Sequence, residues 1–363
     1  MNPRRGALAA VAFAAFFDTF ALAPVLSKYA QSIGADGFWI GLILSVYSLA
    51  NLGFSFVSGP LIDRFGRQRP MWISLALTAP ILFGYGLCDA PWQLLILRIL
   101  HGAAGAVFLP SLFTYAMDRG SPAKAAGRLG AVIAAVAVVA PPISGQLAAR
   151  YGYQASFALA GGMMLVGAVA ALAWVSEPRE PREKATVSIL SLKAAISVAL
   201  MTFSMTCALS MLPYRLPLVM ADARAAGQAF GIYALAAFIV MWRYRNGSMA
   251  AAVAGVLVAM LATGAIAFLT ADASLYLAMG WAGFGFGLAF PSLNSLAHSS
   301  APDAAKGRAM ALFYGAYSLG YGAGPLIYSK HGIAGSLVLS GFSLLLAGTI
   351  FSKSSRNLEK GRV

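Results

Sequence analysis

Apolar residues run along this chain in long continuous stretches and do not alternate with polar ones. A helix needs about 20 apolar residues to cross the hydrocarbon core of a bilayer, and twelve such stretches are separated by short polar segments. We number them spans 1 to 12, and they cover residues 7–28, 38–58, 70–88, 92–117, 125–148, 155–176, 194–214, 224–242, 249–270, 274–297, 307–328 and 333–352. Because the strands of a membrane barrel alternate apolar and polar residues, the pattern predicts an all-α integral membrane protein with twelve transmembrane helices.

The composition agrees with immersion in lipid. Hydrophobic residues make up 60% of the 363 residues, charged residues 10%, and the mean hydropathy is +0.75, whereas a soluble domain is about half apolar and a quarter charged. The first apolar stretch is long for a signal peptide, and we interpret it as span 1. Cys88 and Cys207 lie in apolar stretches without the spacing of a disulfide framework or a metal site. We therefore predict no metal and no cofactor.

The basic residues indicate how the chain is oriented. With the amino terminus inside, 20 of the 26 lysines and arginines lie on the cytoplasmic side, 5 lie outside, and Arg98 lies within a span. Such an excess in short cytoplasmic loops sets the orientation of membrane proteins. It also explains the net charge of +14 without nucleic acid as a partner. We predict a multi-pass protein of the inner (plasma) membrane, in contact with the lipid bilayer, with both termini cytoplasmic.

The chain is predicted to have two similar halves. A charged, proline-rich run at residues 177–184 is expected to be a cytoplasmic linker, and short patterns of the first half recur about 180 residues later: FLPSL at 108–112 and AFPSL at 289–293. We predict a six-helix bundle over residues 1–176, a linker over 177–193, and a second, pseudo-symmetric six-helix bundle with a short cytoplasmic tail over 194–363. The offset between the halves implies that about ten residues are missing from the hairpin of spans 8 and 9.

The polar segment between spans 2 and 3 carries the most specific motif. Its sequence is GPLIDRFGRQR, residues 59–69, and it matches the pattern G-x-L-x-D-R-x-G-R. This segment resembles the loop between helices 2 and 3 of the major facilitator superfamily, most closely its twelve-helix drug–proton antiporter group. The resemblance implies two parallel six-helix repeats with a substrate site near the midplane. It also implies a latch on the inner side, formed by Gly59, Asp63, Arg64, Gly66, Arg67 and Asp118.

Asp18 lies about twelve residues into span 1, near the middle of the bilayer, and every other carboxylate lies in a loop, at a span end or in the tail. A charge at that depth costs about 2.5–3.5 kcal/mol. Burial favours the neutral form of a carboxyl group, so Asp18 is a candidate to bind and release a proton. The alternative is an aspartate that packs between helices and is hydrogen-bonded by serine or threonine.

Arg98 and His101 lie in span 4 at a depth similar to that of Asp18. The segment RILHG, residues 98–102, resembles the superfamily motif R-x-x-Q-G, with His101 in place of Gln. In the family this arginine is linked to proton coupling, and we expect Arg98 to pair with Asp18 or, alternatively, to bind an anionic substrate. His101 either joins the proton relay, since histidine titrates near neutrality, or only donates the hydrogen bond that Gln would make.

Other candidate residues lie in spans 5, 10 and 11. The segment around Pro141 and Gly145 resembles a degraded antiporter motif, and span 11 carries a related Gly324-Pro325 pair. Small residues there allow close helix packing. Four polar or aromatic residues are candidates for a substrate cavity, with packing as the alternative: Asn294, Tyr314, Tyr317 and Tyr321.

These observations predict a secondary active transporter and not an enzyme. We expect it to act as a monomer that exports a small organic compound, drug-like or a metabolite, in exchange for protons by alternating access. One alternative is a symporter or uniporter that imports an organic acid. A further alternative, suggested by the short hairpin of spans 8 and 9, is a membrane sensor that has the transporter fold and does not transport.

Overall fold

The computed structural model describes residues 3–117, 122–175, 193–243, 248–299 and 306–360. Over these residues the chain forms helices and no strand, so the predicted all-α architecture is confirmed. In chain order the helices are α1 (Pro3–Ala21), α2 (Leu26–Ser32), α3 (Gly37–Phe65), α4 (Gln68–Tyr85), α5 (Pro91–Met117), α6 (Pro122–Tyr151), α7 (Tyr153–Trp174), α8 (Lys193–Leu209), α9 (Leu212–Val219), α10 (Ala223–Arg243), α11 (Met249–Ile266), α12 (Asp272–Ser299) and α13 (Lys306–Lys360).

Every predicted span falls on helix. Within the described residues, nine helical segments are long and apolar enough to cross a membrane, one of them being Ala195–Val219 over α8 and α9 together, and the bent pair α1 and α2 adds a tenth. One of the nine, Ala309–Ile350 in α13, is 42 residues long and holds spans 11 and 12. It is broken at Gly332, whose φ of 63° is open to glycine and strained for other residues. Helix α4, which corresponds to span 3, is not among the nine.

Two spans that the sequence predicted as continuous helices are each broken. Span 1 divides into α1 and α2, which meet at an angle of 50°, and Pro24 lies in the break between them. Proline lacks a backbone N–H and clashes with the preceding turn, which weakens a helix at that point and favours a break there. Span 7 divides into α8 and α9, and Pro213 stands in the first turn of α9, where proline is tolerated.

The helices group into two compact units. The first unit contains Met1–Pro181 together with Pro213–Ala234, and the second contains Arg182–Leu212 together with Leu235–Val363. In the first unit, α3 packs against α5, α4 packs against α5 and α7, and α1 packs against α6 and α7. In the second unit, α8 packs along α13, and α11 packs along α12. The predicted linker, apart from Lys193, lies outside the described residues, and the division at 177–193 stays a prediction.

Helix α9 and the start of α10 are attached to the first unit by hydrogen bonds. The Lys28 ammonium group donates to the Met220 carbonyl oxygen over 2.9 Å, and the Tyr214 hydroxyl donates to the Gly37 carbonyl oxygen over 2.8 Å. The carbonyl groups that follow the end of α9 lack a partner within their own helix, and Lys28 satisfies one of them. These contacts explain why residues 213–234 group with the first unit.

The outer faces of the helices are apolar. Large side chains such as Leu87, Trp242, Leu261 and Phe268 are more than 70% exposed. In water this much exposed apolar surface would be unfavourable, but hydrocarbon solvates it. The surface therefore fits the multi-pass membrane protein that the apolar stretches predict.

Candidate functional site

The Asp18 side chain is buried in the first unit, within the last turn of α1. The residue is 3% exposed. One carboxylate oxygen, Oδ2, lies 2.7 Å from Nε2 of His101 in α5, and the other, Oδ1, accepts a hydrogen bond from the Thr19 hydroxyl over 3.0 Å. Both oxygens therefore have a polar partner, as a buried carboxylate requires.

His101 has a polar partner on each side of its ring. The residue is 2% exposed, and Nδ1 lies 2.9 Å from the hydroxyl oxygen of Tyr85 in α4. The edge of the ring also meets Tyr47, with centroids 4.9 Å apart at 71°. Asp18, His101 and Tyr85 thus form a continuous hydrogen-bonded chain across α1, α5 and α4. We call these three residues the Asp18–His101–Tyr85 chain.

Arg98 makes different contacts from those that the sequence predicted. Its Nε donates to the Ile43 carbonyl oxygen of α3 over 3.1 Å, and its guanidinium carbon lies 4.4 Å from the centre of the Tyr47 ring, at cation–π distance. In this structure the carboxylate of Asp18 contacts His101 and not Arg98. Arg98 lies three residues earlier on α5, about 4.5 Å along the helix axis, and its side chain is held by α3.

Glycine at position 102 sets the approach of α3 and α5. A Cβ at Gly102 would overlap the backbone oxygen of Tyr47 and would lie 3.0 Å from the Ala50 Cβ. Because this position has no side chain, α5 lies directly against α3, and His101 is brought beside Tyr47. The apolar periodicity of the two helices does not reveal this contact.

A small cavity of about 30 Å³ adjoins the carboxylate. Its polar lining comes from Asp18, Thr19, Tyr47, Thr78 and His101, and the rest of the lining is mostly apolar. About 10–15 Å³ is enough to hold one water molecule when polar partners are present. The cavity therefore offers room for a water molecule beside the Asp18–His101 pair.

Three contributors to this site were missed by the sequence analysis: Thr19, Tyr47 and Tyr85. The sequence signal for these three residues was the hydroxyl group that each carries, because a hydroxyl group within the membrane needs a hydrogen-bond partner. That signal is weak because tyrosine and threonine are common in membrane helices and often bond to their own backbone. The alternative interpretation of Asp18 included a threonine partner, and Thr19 occupies that place.

The structure describes only part of the predicted inner latch. Gly59 and Asp63 lie within α3, and Gly66 ends that helix with φ of 79°, a conformation that favours glycine. Arg64 is exposed, with its guanidinium 5.2 Å from the Phe65 ring centre. The Asp63 side chain and the whole of Asp118 lie outside the described residues, so the pairing of Arg67 with Asp118 stays a prediction.

The predicted cavity residues of the second unit lie together. The Asn294 amide in α12 donates to the Tyr314 hydroxyl in α13 over 3.3 Å, and the Tyr317 and Tyr321 rings are 5.0 Å apart. The Phe290 ring packs against the Tyr317 and Phe313 rings, each with centroids 5.9 Å apart, and the Phe313 ring packs against the Tyr314 ring with centroids 5.0 Å apart. These contacts join the residues into one aromatic cluster with an amide at its edge. Its role as a substrate wall stays a prediction.

The proline–glycine motifs lie at close helix contacts. A Cβ at Gly145 in α6 would overlap the backbone of Ala223 in α10, and a Cβ at Gly227 would overlap the backbone of Pro141. In the second unit, a Cβ at Gly324, next to Pro325, would overlap the backbone and side chain of α8. Both motifs therefore allow two helices to touch along their backbones, as small residues do in membrane proteins.

Comparison with known proteins agrees with this architecture. Residues 8–325 match the family model described as Major Facilitator Superfamily. Over 159 residues the chain is 30% identical to the multidrug resistance protein MdtG of Salmonella typhimurium (strain LT2), and the match covers 42% of this chain and 39% of that protein. The compared region is thus about two fifths of the relative's length.

Solved structures extend the likeness to the whole chain at the level of fold. An inward-facing, occupied bacterial homologue of the human lysosomal transporter Spinster superposes with a TM-score of 0.80, covering 98% of both chains at 13% identity. An autoinhibited peptide transporter of the POT family gives a TM-score of 0.79 over 98% of this chain and 97% of its own, again at 13% identity. These families are membrane transporters and not enzymes. With its motif at residues 59–69, its helical architecture and its match over residues 8–325, this chain belongs to the Major Facilitator Superfamily.

Proposed function

We propose that this transporter exports a small organic compound, drug-like or a metabolite, in exchange for protons. The observation that carries the proposal is the buried Asp18 carboxylate, hydrogen-bonded by His101 beside a small cavity. An ionisable residue inside a membrane span is costly, and function is the usual reason for its presence. The name of the MdtG relatives supports export as the direction and a multidrug-type substrate.

The chemistry of Asp18 suits a proton carrier. Its two oxygens are hydrogen-bonded by His101 and Thr19, and the adjacent cavity supplies a place for the water that delivers the proton. Binding one proton removes a negative charge from the membrane interior, which changes the free energy of the two transport states differently.

Alternating access supplies the second part of the proposal. The bundles at 1–176 and 194–363 rock about a central substrate site, as in transporters built from repeats. The Asp63, Arg64, Arg67 and Asp118 latch closes the inner side while the outer side is open. The close contacts at Gly145 and Gly324 form part of the surfaces on which the helices move.

The aromatic cluster of the second unit supplies the proposed substrate wall. Tyr314 is 48% exposed, so its ring face is open to a ligand, and Asn294 adds an amide that can donate or accept hydrogen bonds. A surface with large aromatic faces and few polar groups fits organic compounds of varied shape. It is consistent with export of more than one compound.

The alternative of organic-acid import needs an arginine that is free for a carboxylate. Arg98 is engaged by the Ile43 carbonyl oxygen and the Tyr47 ring, so the geometry favours Arg98 as part of the proton site. We further propose a monomer in a bacterial inner membrane, with both termini cytoplasmic. The distribution of basic residues and the MdtG relatives support this placement.

The decisive experiment measures pH-driven transport by wild type and Asp18→Asn in everted vesicles. A compound that stabilises the purified protein against heating serves as the transported probe. An acidic lumen is expected to drive accumulation by wild type, and Asp18→Asn is expected to lose the pH-driven part because it cannot bind the proton. Asp89→Asn, an exposed acid in the loop between α4 and α5, is the matched control and should transport as wild type does.

Accumulation by Asp18→Asn at the wild-type rate, with the same dependence on pH, would refute the coupling role. Accumulation in right-side-out vesicles, driven by acid outside and absent from everted ones, would establish import instead. Binding of the probe without any flux in either vesicle would favour the sensor alternative.

A further inference from the structure

The histidine in the Asp18–His101–Tyr85 chain uses both ring nitrogens, and the superfamily motif that it resembles carries a glutamine there. Nε2 lies 2.7 Å from Asp18 Oδ2, and Nδ1 lies 2.9 Å from the Tyr85 hydroxyl oxygen. A glutamine amide at this position would donate to Asp18 but would not titrate. His101 therefore adds a second proton-binding atom to the site.

The contacts select one protonation state of the histidine when Asp18 is ionised. A carboxylate only accepts hydrogen bonds, so Nε2 must carry the hydrogen, and the neutral ring then leaves Nδ1 as an acceptor. The Tyr85 hydroxyl fills that need by donating to Nδ1. The phenolic hydrogen of Tyr85 is therefore directed towards His101 in this state.

A proton that binds to this site reverses the contact at Nδ1. If the proton is held on the carboxyl group, that group donates to Nε2 and the ring hydrogen moves to Nδ1. If the ring is doubly protonated, Nδ1 also carries hydrogen. In both cases Nδ1–H donates to the Tyr85 oxygen, and the phenolic hydrogen must turn away from His101.

We propose that Tyr85 is a positioning residue that holds His101 as the Nε2–H tautomer, so that Asp18 and His101 bind the transported proton as a pair. Uptake of one proton changes the charge of the pair from −1 to zero, and release restores it. Asp18 and His101 share the proton, and the tyrosine hydroxyl favours the unprotonated state. This inference rests on the proposed proton coupling and adds to it a second residue and a tautomer.

The groups around the pair are consistent with this assignment. Within the described residues, the titratable or charged side chains around the pair are Tyr47 of α3, Tyr85 of α4 and Arg98 of α5, which lies over the Tyr47 ring, and α7 contributes the apolar Phe157 and Met164. Tyr85 is fully buried and packs its ring against Phe157, with centroids 5.6 Å apart. An experiment on Tyr85 must therefore distinguish the loss of its hydroxyl group from a change in the packing of its ring.

Tyr29 provides the matched control for loss of a hydroxyl. It is also buried, also packs against Phe157, and donates its hydroxyl to the backbone oxygens of Tyr85 and Cys88. Tyr29→Phe thus removes one phenolic hydroxyl from the same aromatic group without touching His101. Tyr85→Phe removes the hydroxyl that contacts His101.

The first measurement is the tautomer of His101, read from nitrogen NMR shifts of 15N-histidine in the purified protein. The chain has three histidines, so His298→Gln and His331→Gln leave a single signal. In the unprotonated state we expect hydrogen on Nε2 and none on Nδ1, and a mixture of tautomers in Tyr85→Phe. Hydrogen on Nδ1 in the unprotonated wild-type background would overturn the proposal.

The second measurement is the pH midpoint of Asp18 protonation, followed by the infrared carboxyl band that Asp18→Asn removes. Tyr85→Phe loses a donor that favours the unprotonated pair, so the midpoint is expected to rise by about half a unit to one unit. Tyr29→Phe should leave it unchanged. In a His101→Gln background, Tyr85→Phe should no longer shift the midpoint.

The results for Tyr85 and His101 test the positioning role of Tyr85 separately from proton coupling by Asp18. If the shift persists in the His101→Gln background, or appears in Tyr29→Phe, Tyr85 acts through packing and the positioning role is wrong. Equal midpoints in wild type and Tyr85→Phe would also overturn it. Because neither measurement uses a substrate, these results are independent of whether Asp18→Asn loses pH-driven transport.

Discussion

At the scale of single residues, His101 determines whether the buried carboxylate is satisfied. It is the side chain that contacts both Asp18 and Tyr85. Loss of the hydrogen-bond partner of a buried polar group destabilises the protein by about 1–3 kcal/mol, because the group stays desolvated. Replacement of His101 should therefore affect stability according to the hydrogen bonds that the new side chain can make.

We expect His101→Leu to lower the free energy of unfolding by about 1–3 kcal/mol, because Asp18 Oδ2 and the Tyr85 hydroxyl lose a partner. His101→Gln keeps a donor for Asp18 and should lose less. Thermal unfolding of the two purified variants in the same detergent checks the order. A His101→Leu protein as stable as His101→Gln would mean that the hydrogen bonds of His101 contribute little to stability.

The residues of the Asp18 site could be predicted from the sequence, but their contacts could not. Asp18, Arg98 and His101 stand out because charged or titratable residues are rare in apolar stretches. The structure places His101, and not Arg98, against Asp18, whereas depth alone put Arg98 within one turn of Asp18. Which side chain reaches the carboxylate depends on how α5 is rotated against α1 and α3, and residue spacing along one helix does not contain that information.

At the scale of helices, the apolar stretches predicted where the helices lie better than where the helices are broken. Span 4 corresponds closely to α5, and span 6 to α7, because a run of about 20 apolar residues in lipid has few alternatives to a helix. The break at Pro24 was missed because the stretch remains apolar through it. The break reflects a local loss of backbone hydrogen bonding at Pro24, and hydropathy does not measure that loss.

Helix contacts yield a prediction about Gly102. A Cβ there would meet the Tyr47 backbone oxygen, which cannot move without displacing α3, so Gly102→Ala should destabilise the protein by about 1–3 kcal/mol. Gly105→Ala is the matched control, since its Cβ would lie 3.2 Å from the Tyr47 hydroxyl oxygen and 3.4 Å from the Asn51 amide nitrogen, which are ends of side chains.

Thermal unfolding of both variants distinguishes backbone contact from side-chain contact. Gly102→Ala should unfold at a lower temperature than Gly105→Ala. The infrared band of Asp18 should also shift in Gly102→Ala, because a displaced α5 carries His101 with it. Equal unfolding temperatures for the two variants would show that α3 and α5 are not packed as closely as the structure has them.

At the scale of the whole molecule, the proposed inner latch depends on the orientation of the chain in the membrane. It requires that the segment at residues 59–69 faces the cytoplasm and that the loop at residue 89 faces outside. The excess of basic residues on one side predicts that arrangement. The two ends of α4 offer positions at which this orientation is testable.

We predict that a cysteine introduced by Asp89→Cys reacts with a membrane-impermeant maleimide in intact cells, whereas one introduced by Arg69→Cys reacts only after permeabilisation. Both positions are exposed, and the native Cys88 and Cys207 are buried, so a parent protein with both native cysteines replaced by alanine gives a clean background.

The positions flank one helix, α4, and therefore must label from opposite sides if that helix spans the membrane. The reverse pattern would invert the predicted topology and place the segment at residues 59–69 on the outer side, where it could not form the proposed inner latch. Labelling of both positions in intact cells would show that α4, a predicted span that is not among the nine apolar helical segments, does not cross the bilayer.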